Sequence, residues 1–238
     1  MSPVTKIDFN HGLFGELRAR AGDNWSGYVN HRFVRELAVG TLPLPCFKRF
    51  LMQDYLFLIH FARAYALLAS KGGCLSEIRS AASSLMAIVS ELPLHVTYCA
   101  GWGLTEAKME AEPEAPETMN YTRYVLDIGH SGDSLDLMAA LMPCVAGYGE
   151  IGDILLSDKS TIIDGNPYGD WIRNYESEHY RKSVQAAIVT FDALGKKRGG
   201  KARLNQLSTI FTTATRLESA FWQMGLNAGS GVTQQAAE

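Results

Sequence analysis

The chain has 238 residues, 47% of them apolar and 20% charged, with a net charge of −3. It is long enough to bury one large core and too apolar to be disordered, and its slight acidity gives no footprint for nucleic acid. The N-terminal MSPVTKIDFNHGLF lacks the basic-then-apolar pattern of a secretory signal. The best membrane candidate, Tyr55 to Ala69, is broken by His60 and Arg63 before reaching the roughly 18 apolar residues that a span needs.

Apolar spacing is helical almost everywhere, and alternating strand runs are scarce. A first helix is expected over Phe9 to Ala19 and a second over Tyr28 to Val39, ending at Gly40. The prolines of GTLPLP (Gly40 to Pro45) make a turn, and Pro45 suits the first turn of a helix running to about Ser70, with Gly72-Gly73 as its stop. Ser76, as N-cap, opens a helix to about Tyr98, which Pro93 should kink or shorten. The acidic segment Glu106 to Glu117 reads as a surface connection. Pro116 or Glu117 starts a helix through Ile128, stopped at Gly129. Asp133 to Leu156 follows, then a turn at DGNPYG (Asp164 to Gly169) and helices over Asp170 to Leu194 and Leu204 to Met224. Between the last two, Lys196, Lys197, Arg198, Lys201 and Arg203 stand among glycines and read as a solvated loop. The tail after Asn227 should fray. Eight or so helices make an all-α, single-domain helical bundle over 1–238, with its core at about 9–226. Several helices are apolar on more than one side, which points to burial against another subunit.

The helix Asp133 to Leu156 breaks the usual rules in its middle. Pro143 costs about 3 kcal/mol in an ordinary helix, and Gly147, Gly149 and Gly152 about 1 kcal/mol each relative to Ala. Cys144 and Tyr148, four residues apart, share one face, so a thiol and a phenol would point together into room left by the glycines. Cys46, Cys74, Cys99 and Cys144 form no C-x-x-C pair, and without an export signal a reduced, cytoplasmic compartment is expected. At least three of these thiols should be plain buried side chains.

Two acids stand in apolar helices. Asp54 has Leu51, Tyr55, Leu58 and Phe61 around it. It either caps or pairs structurally, for instance with Arg63, or belongs with Gln53 and Tyr55 to a functional polar cluster. Glu218 precedes Phe221 and Trp222 by three and four residues. It is either one half of a pair with Arg216 or a general acid whose pKa is raised by apolar neighbours. Tyr121 and Tyr175 lie on helices with mixed faces, where a tyrosine is either core or functional. Glu176 and His179 form one E-x-x-H. A di-iron bundle needs a second such pair, and Glu91 with His95 is spaced E-x-x-x-H, so no metal and no cofactor are expected. Phosphate loops and a G-x-S-x-G elbow are missing.

Taken in order, HxFVxxLxxGTLPLxxFxxFLxQDYLFL at His31 to Leu58, NYT around Tyr121, LMPCxxxYxEIG at Leu141 to Gly152 and LExxFWxM at Leu217 to Met224 resemble the TenA family, thiaminase II. The resemblance implies a fold like haem oxygenase without haem, usually a homotetramer. The implied activity is aminopyrimidine aminohydrolase: 4-amino-5-aminomethyl-2-methylpyrimidine goes to the hydroxymethyl compound and ammonia, and thiamin is cleaved to pyrimidine and thiazole, in thiamin salvage. By position it makes Cys144 the nucleophile and Glu218 the catalytic acid. Asp54 becomes the substrate-holding carboxylate, and Tyr121, Tyr148 and Tyr175 become pocket tyrosines. Phe57 stands where many members carry a second pocket tyrosine, so stacking on the pyrimidine is kept while the ring has no hydroxyl to offer it. Cys144 sets the chain apart from members with a glutamate there. A non-catalytic pyrimidine-binding or regulatory protein on the same scaffold is the alternative, and a helical oxygenase of the same fold would need iron or oxygen consumption.

Overall fold

A computed structural model describes residues 6–230, apart from the side chains of Glu91, Leu94, His95, Tyr98 and Ser230. The Glu91/His95 spacing therefore lies outside the described residues. Among the described residues there are eleven α-helices and no strands: α1 Gly12–Ala21, α2 Asp23–Val29, α3 Arg32–Ala38, α4 Leu44–Ser70, α5 Leu75–Ala100, α6 Glu106–Glu110, α7 Pro116–Ser131, α8 Ser134–Ser157, α9 Gly169–Glu176, α10 Glu178–Lys197 and α11 Leu204–Ser230. The all-α expectation is met. The chain divides into two compact units, each assembled from two separate stretches: Met1–Leu42 with Met138–Ser219, and Pro43–Leu137 with Ala220–Glu238.

In the first unit, capping chemistry divides stretches that periodicity reads as continuous. Phe9 is buried but precedes its helix, because the Asp8 carboxylate accepts from the amides of Asn10 and His11 and closes a turn there. α1 starts at Gly12, with a φ of +73°, and the cap comes from far along the chain: Asp192 on α10 accepts from the Phe14 amide at 2.9 Å. A side chain at Gly12 would strike that carboxylate. Tyr28 to Val39 is two helices, separated at Asn30 and His31, where the His31 ring accepts from the Phe33 amide. Likewise Asp170 to Leu194 is broken at Ser177, whose extended backbone and hydroxyl, accepting from the Tyr180 amide, begin α10. Such a cap is worth about 1 kcal/mol. It puts Glu176 and His179 on different helices, so the E-x-x-H does not form one helical face.

In the second unit, α4 opens one residue before Pro45, and Gln53, fully buried, is its main polar anchor. Its amide nitrogen donates to the Pro113 carbonyl at 3.0 Å, and its oxygen accepts from the Ala115 amide at 2.8 Å and the Thr118 hydroxyl at 2.7 Å. The stretch expected as a surface connection is therefore tied down. It contains α6, buries Met109, and pairs Glu112 with Arg49 and Glu114 with Arg123 and His60. Cys74, not Ser76, is the N-cap of α5, and Pro93 lies inside that helix without ending it. Gly129 does not stop α7; it is buried inside the helix, where a side chain would press on Leu67 and Leu137. α11 continues to Ser230, beyond the expected fraying point, and residues 231–238 lie outside the described residues.

α8 corrects the membrane reading: by length and composition it could cross one, and 67% of its apolar stretch is buried inside the protein. The cysteine reading also changes. Cys46 and Cys99 are buried, Cys144 is half-buried and Cys74 is exposed.

Replacing Gln53 with Leu keeps the volume but removes three hydrogen bonds and strands two buried groups, the Ala115 amide and the Thr118 hydroxyl. Urea unfolding at fixed protein concentration is expected to show a loss of about 3 kcal/mol or more, against about 1 kcal/mol for Thr118→Val. Arg123 beside Glu114, helped by His60, holds the Glu114 carboxyl below its ordinary value of 4.5. A depressed acid contributes stability above its unfolded pKa and loses it as pH falls through the folded value. Glu114→Gln should thus flatten the stability profile below about pH 4.5, measured by urea midpoints across the acid range.

Candidate active site

The first unit contains Cys144, Tyr148, Tyr175 and Glu218. On α8 the glycines do not leave open room. The ring of Tyr28 lies where a side chain at Gly147 would be, Val184 covers Gly149, and the backbone carbonyl of Tyr175 covers Gly152. These positions let α2, α10 and α9 approach the helix at backbone distance, so the room expected at the glycines is taken up by close packing.

Beside that surface Tyr148, 6% exposed, joins an aromatic cluster. Its ring centre is 5.0 Å from Tyr175 and 6.1 Å from Trp171; Trp171 is 4.4 Å from Tyr175, and Tyr180 is 4.9 Å from Tyr175. The structure thus brings Tyr148 and Tyr175 together. Trp171 was missed by sequence reasoning, although it stands one helical turn before Tyr175. Such a wall offers flat, apolar surface with hydroxyl edges, suited to a planar heteroaromatic ring.

Glu218 is 2% exposed, whereas Arg216 is exposed. Burial of a carboxylate on this scale has to be offset by hydrogen bonding or serve a purpose. Cys144 retains partial exposure on α8.

The second unit contains Asp54, Phe57 and Tyr121. Gln53, Asp54 and Tyr55 do not act as one polar cluster. Consecutive helical residues point about 100° apart, and each meets different neighbours. Gln53 serves the Pro113–Thr118 anchor, and the Tyr55 hydroxyl donates to Glu106 at 3.2 Å. Asp54 is 6% exposed, and its charge adds to the burial that pushes the Cys99 thiol up to about 11. That neighbour is 45 positions away and carried no sequence signal. Phe57 is 4% exposed and centres a ring cluster, 5.0 Å from Tyr121, 5.3 Å from Phe61 and 5.7 Å from Phe221. Tyr121 is buried at 1% exposure. A phenyl at 57 therefore packs against Tyr121, Phe61 and Phe221 and presents no hydroxyl.

A cavity of about 540 Å³ in the first unit is lined by residues that include Arg32, Arg35, Ile154, Leu155 and Asp158, and holds none of the candidate residues. Its two arginines are engaged nearby, Arg32 with the Glu36 carboxylate and Arg35 with the Asn30 carbonyl.

Comparison with known proteins bears on this arrangement. The chain is 38% identical to an uncharacterized protein of Haemophilus influenzae over 90% of this chain and 99% of that one. It is 35% identical to the aminopyrimidine aminohydrolase of Halalkalibacterium halodurans, over 89% of this chain and 94% of the other. A crystal structure described as a TenA family transcription regulator from Silicibacter sp. is 42% identical and superposes with a TM-score of 0.84, covering 92% of this chain and 98% of that one. A domain of unknown function with a heme oxygenase-like fold from Shewanella denitrificans, 14% identical with a TM-score of 0.70 over 96% and 95% of the two chains, shares the fold. The sequence pattern of the TENA/THI-4/PQQC family matches residues 18–228, and the chain belongs to that family.

Proposed function

We propose that this protein is an aminopyrimidine aminohydrolase of thiamin salvage. It is a hydrolase acting on C–N bonds. Its substrate is 4-amino-5-aminomethyl-2-methylpyrimidine, with thiamin cleavage as a second activity. The observation that carries this reading is a buried carboxylate, Glu218, in the same unit as a half-buried thiol, Cys144, and the Tyr148–Trp171–Tyr175 cluster. A buried carboxylate is costly to the fold unless it is hydrogen-bonded or paired, and proton transfer is a use that suits such a group. The similarity to an aminopyrimidine aminohydrolase over nearly the whole chain supports the same reading.

The residue types suit the chemistry. An amine on a methylene carbon is a poor leaving group for direct displacement. In this mechanism the Cys144 thiolate adds to an electron-poor ring carbon, and the ring electrons move out to the exocyclic methylene as its C–N bond breaks. Glu218 supplies the proton with which the nitrogen departs as ammonia. Water then adds to the methylene carbon, giving a proton to the Glu218 carboxylate, the thiolate is expelled, and the ring is restored as the hydroxymethyl product. Asp54 serves the amidine edge of the pyrimidine. Phe57, Tyr121, Tyr148 and Tyr175 supply stacking and orientation. No cofactor enters the scheme.

The protein is further read as a cytoplasmic homotetramer. Four cysteines, none of them in a disulfide, suit a reducing compartment. α5 exposes Leu75, Ile78, Met86 and Val89 at helical spacing, a stripe that association would cover.

A regulatory role also has an observation behind it, the description of the Silicibacter relative as a transcription regulator. A regulator that binds pyrimidine has no use for a nucleophile, so one substitution separates the two. Wild type should release hydroxymethylpyrimidine and ammonia, and Cys144→Ser should lower kcat on the order of a thousandfold with substrate affinity little changed. Ligand binding without product in wild type would establish the regulatory reading instead. For assembly, light scattering should give a tetramer's mass, and Met86→Glu with Val89→Glu should shift it toward smaller species. A monomeric wild type removes the tetramer.

A further inference from the structure

Pro143 leaves α8 weakest at the turn that presents Cys144. A proline has no amide hydrogen, so the Ala139 carbonyl loses its partner within the helix, and the ring crowds that same carbonyl. Left alone, such a turn bends or opens. Here one side chain occupies it. Tyr28 of α2, with no exposed surface, donates its hydroxyl to the Pro143 carbonyl at 3.3 Å, and its ring covers the bare backbone of Gly147 one turn later. The peptide it grips is the one that joins Pro143 to Cys144.

Tyr28 is itself held from behind. Its ring meets Trp25 edge-on at 5.8 Å, and Trp25 stacks on Phe211 of α11 at 5.4 Å. The Trp25 indole also donates to Glu150 of α8 at 2.9 Å, and Arg18 of α1 grips the same carboxylate through two nitrogens. α2 is thereby fastened to α8 on both sides of Tyr148, and to α11 two turns before Glu218.

We propose that Tyr28 is a positioning residue: through the Pro143 carbonyl and the Gly147 notch it fixes the backbone at Cys144 and so sets how the thiol is presented. The inference rests on the reading of Cys144 as nucleophile. It adds a residue that touches no reacting atom and acts only through α8. A displacement of about 1 Å at a reacting group can cost on the order of a hundredfold in rate, so the loss of one brace has a measurable effect.

The test is Tyr28→Phe, which keeps the ring in the notch and removes the hydroxyl. Two readouts are taken. The first is kcat and KM; the second is the rate of Cys144 alkylation by iodoacetamide as a function of pH, resolved by peptide mass. Exposed Cys74, in the other unit, serves as internal control. The expected result is a roughly tenfold fall in kcat with KM nearly unchanged, an altered Cys144 profile and an unaltered Cys74 rate. Pro143→Ala in the same background, which restores the ladder bond to Ala139, should move the Cys144 profile back toward wild type. An unchanged Cys144 profile with unchanged kcat overturns the proposal. So does a change in both cysteines, which would mean general loosening. A wild type that makes no product would sink the reaction while leaving the alkylation comparison intact, so the two failures are distinguishable.

Discussion

Close approach of neighbouring elements to the backbone of α8 is the constraint on which the first unit depends. Gly147, Gly149 and Gly152 cost helix stability one by one, and each is matched by a different neighbour: an aromatic ring from α2, a valine from α10, a main-chain carbonyl from α9. The helix is made locally poor so that three elements can lie flush against it. Such packing converts a flexible element into a fixed platform, because a dense interior transmits displacement rather than absorbing it. A thiol mounted there inherits its coordinates from all three neighbours. The ion pair of Arg18 with Glu150 adds a directional tie at the far end of the same contact.

Much of this was legible in the residues themselves. The all-helical character, the proline entry to α4, the odd composition of α8 and the presence of acids in apolar helices all follow from local rules. What escaped was set by partners distant in sequence. Nothing near Phe9 announces that α1 waits for Asp192, and nothing in the Glu106 to Glu117 stretch, rich in charge, reveals that Gln53 will hold it. The two missed breaks, at His31 and Ser177, are of another kind. Both are short side-chain caps inside runs whose apolar spacing continues, so periodicity outvoted a signal worth about 1 kcal/mol. The glycines were read correctly as meaningful and wrongly as space, since a sequence does not say what fills the place of a missing side chain.

Gln53, Asp54 and Tyr55 show how one turn of helix divides its work. Three adjacent polar residues in an apolar run look like a single cluster. In the fold the amide sews down a connecting segment, the phenol reaches two glutamates, and the carboxylate lies buried where its charge raises the Cys99 thiol. The amide is uncharged and bonded at both its nitrogen and its oxygen to backbone and hydroxyl partners, an arrangement that buried polarity tolerates well. The two anchored neighbours restrict the movement of the helix at the carboxylate that stands between them.

The cap that Asp192 lends to α1 has a consequence for the order in which the molecule comes into being. The segments of the first unit are separated by the whole of Pro43–Leu137. At ordinary rates of synthesis, on the order of ten residues per second, the N-terminal helices leave the ribosome many seconds before their cap, their aromatic partner Phe211 and the α8 platform exist. Long-range closure of this kind slows folding. During that interval Phe14, Trp25 and Tyr28 have no core of their own to enter. The aromatic residues from Phe14 to Tyr28 therefore stay without their cover until the stretch through Phe211 has been made.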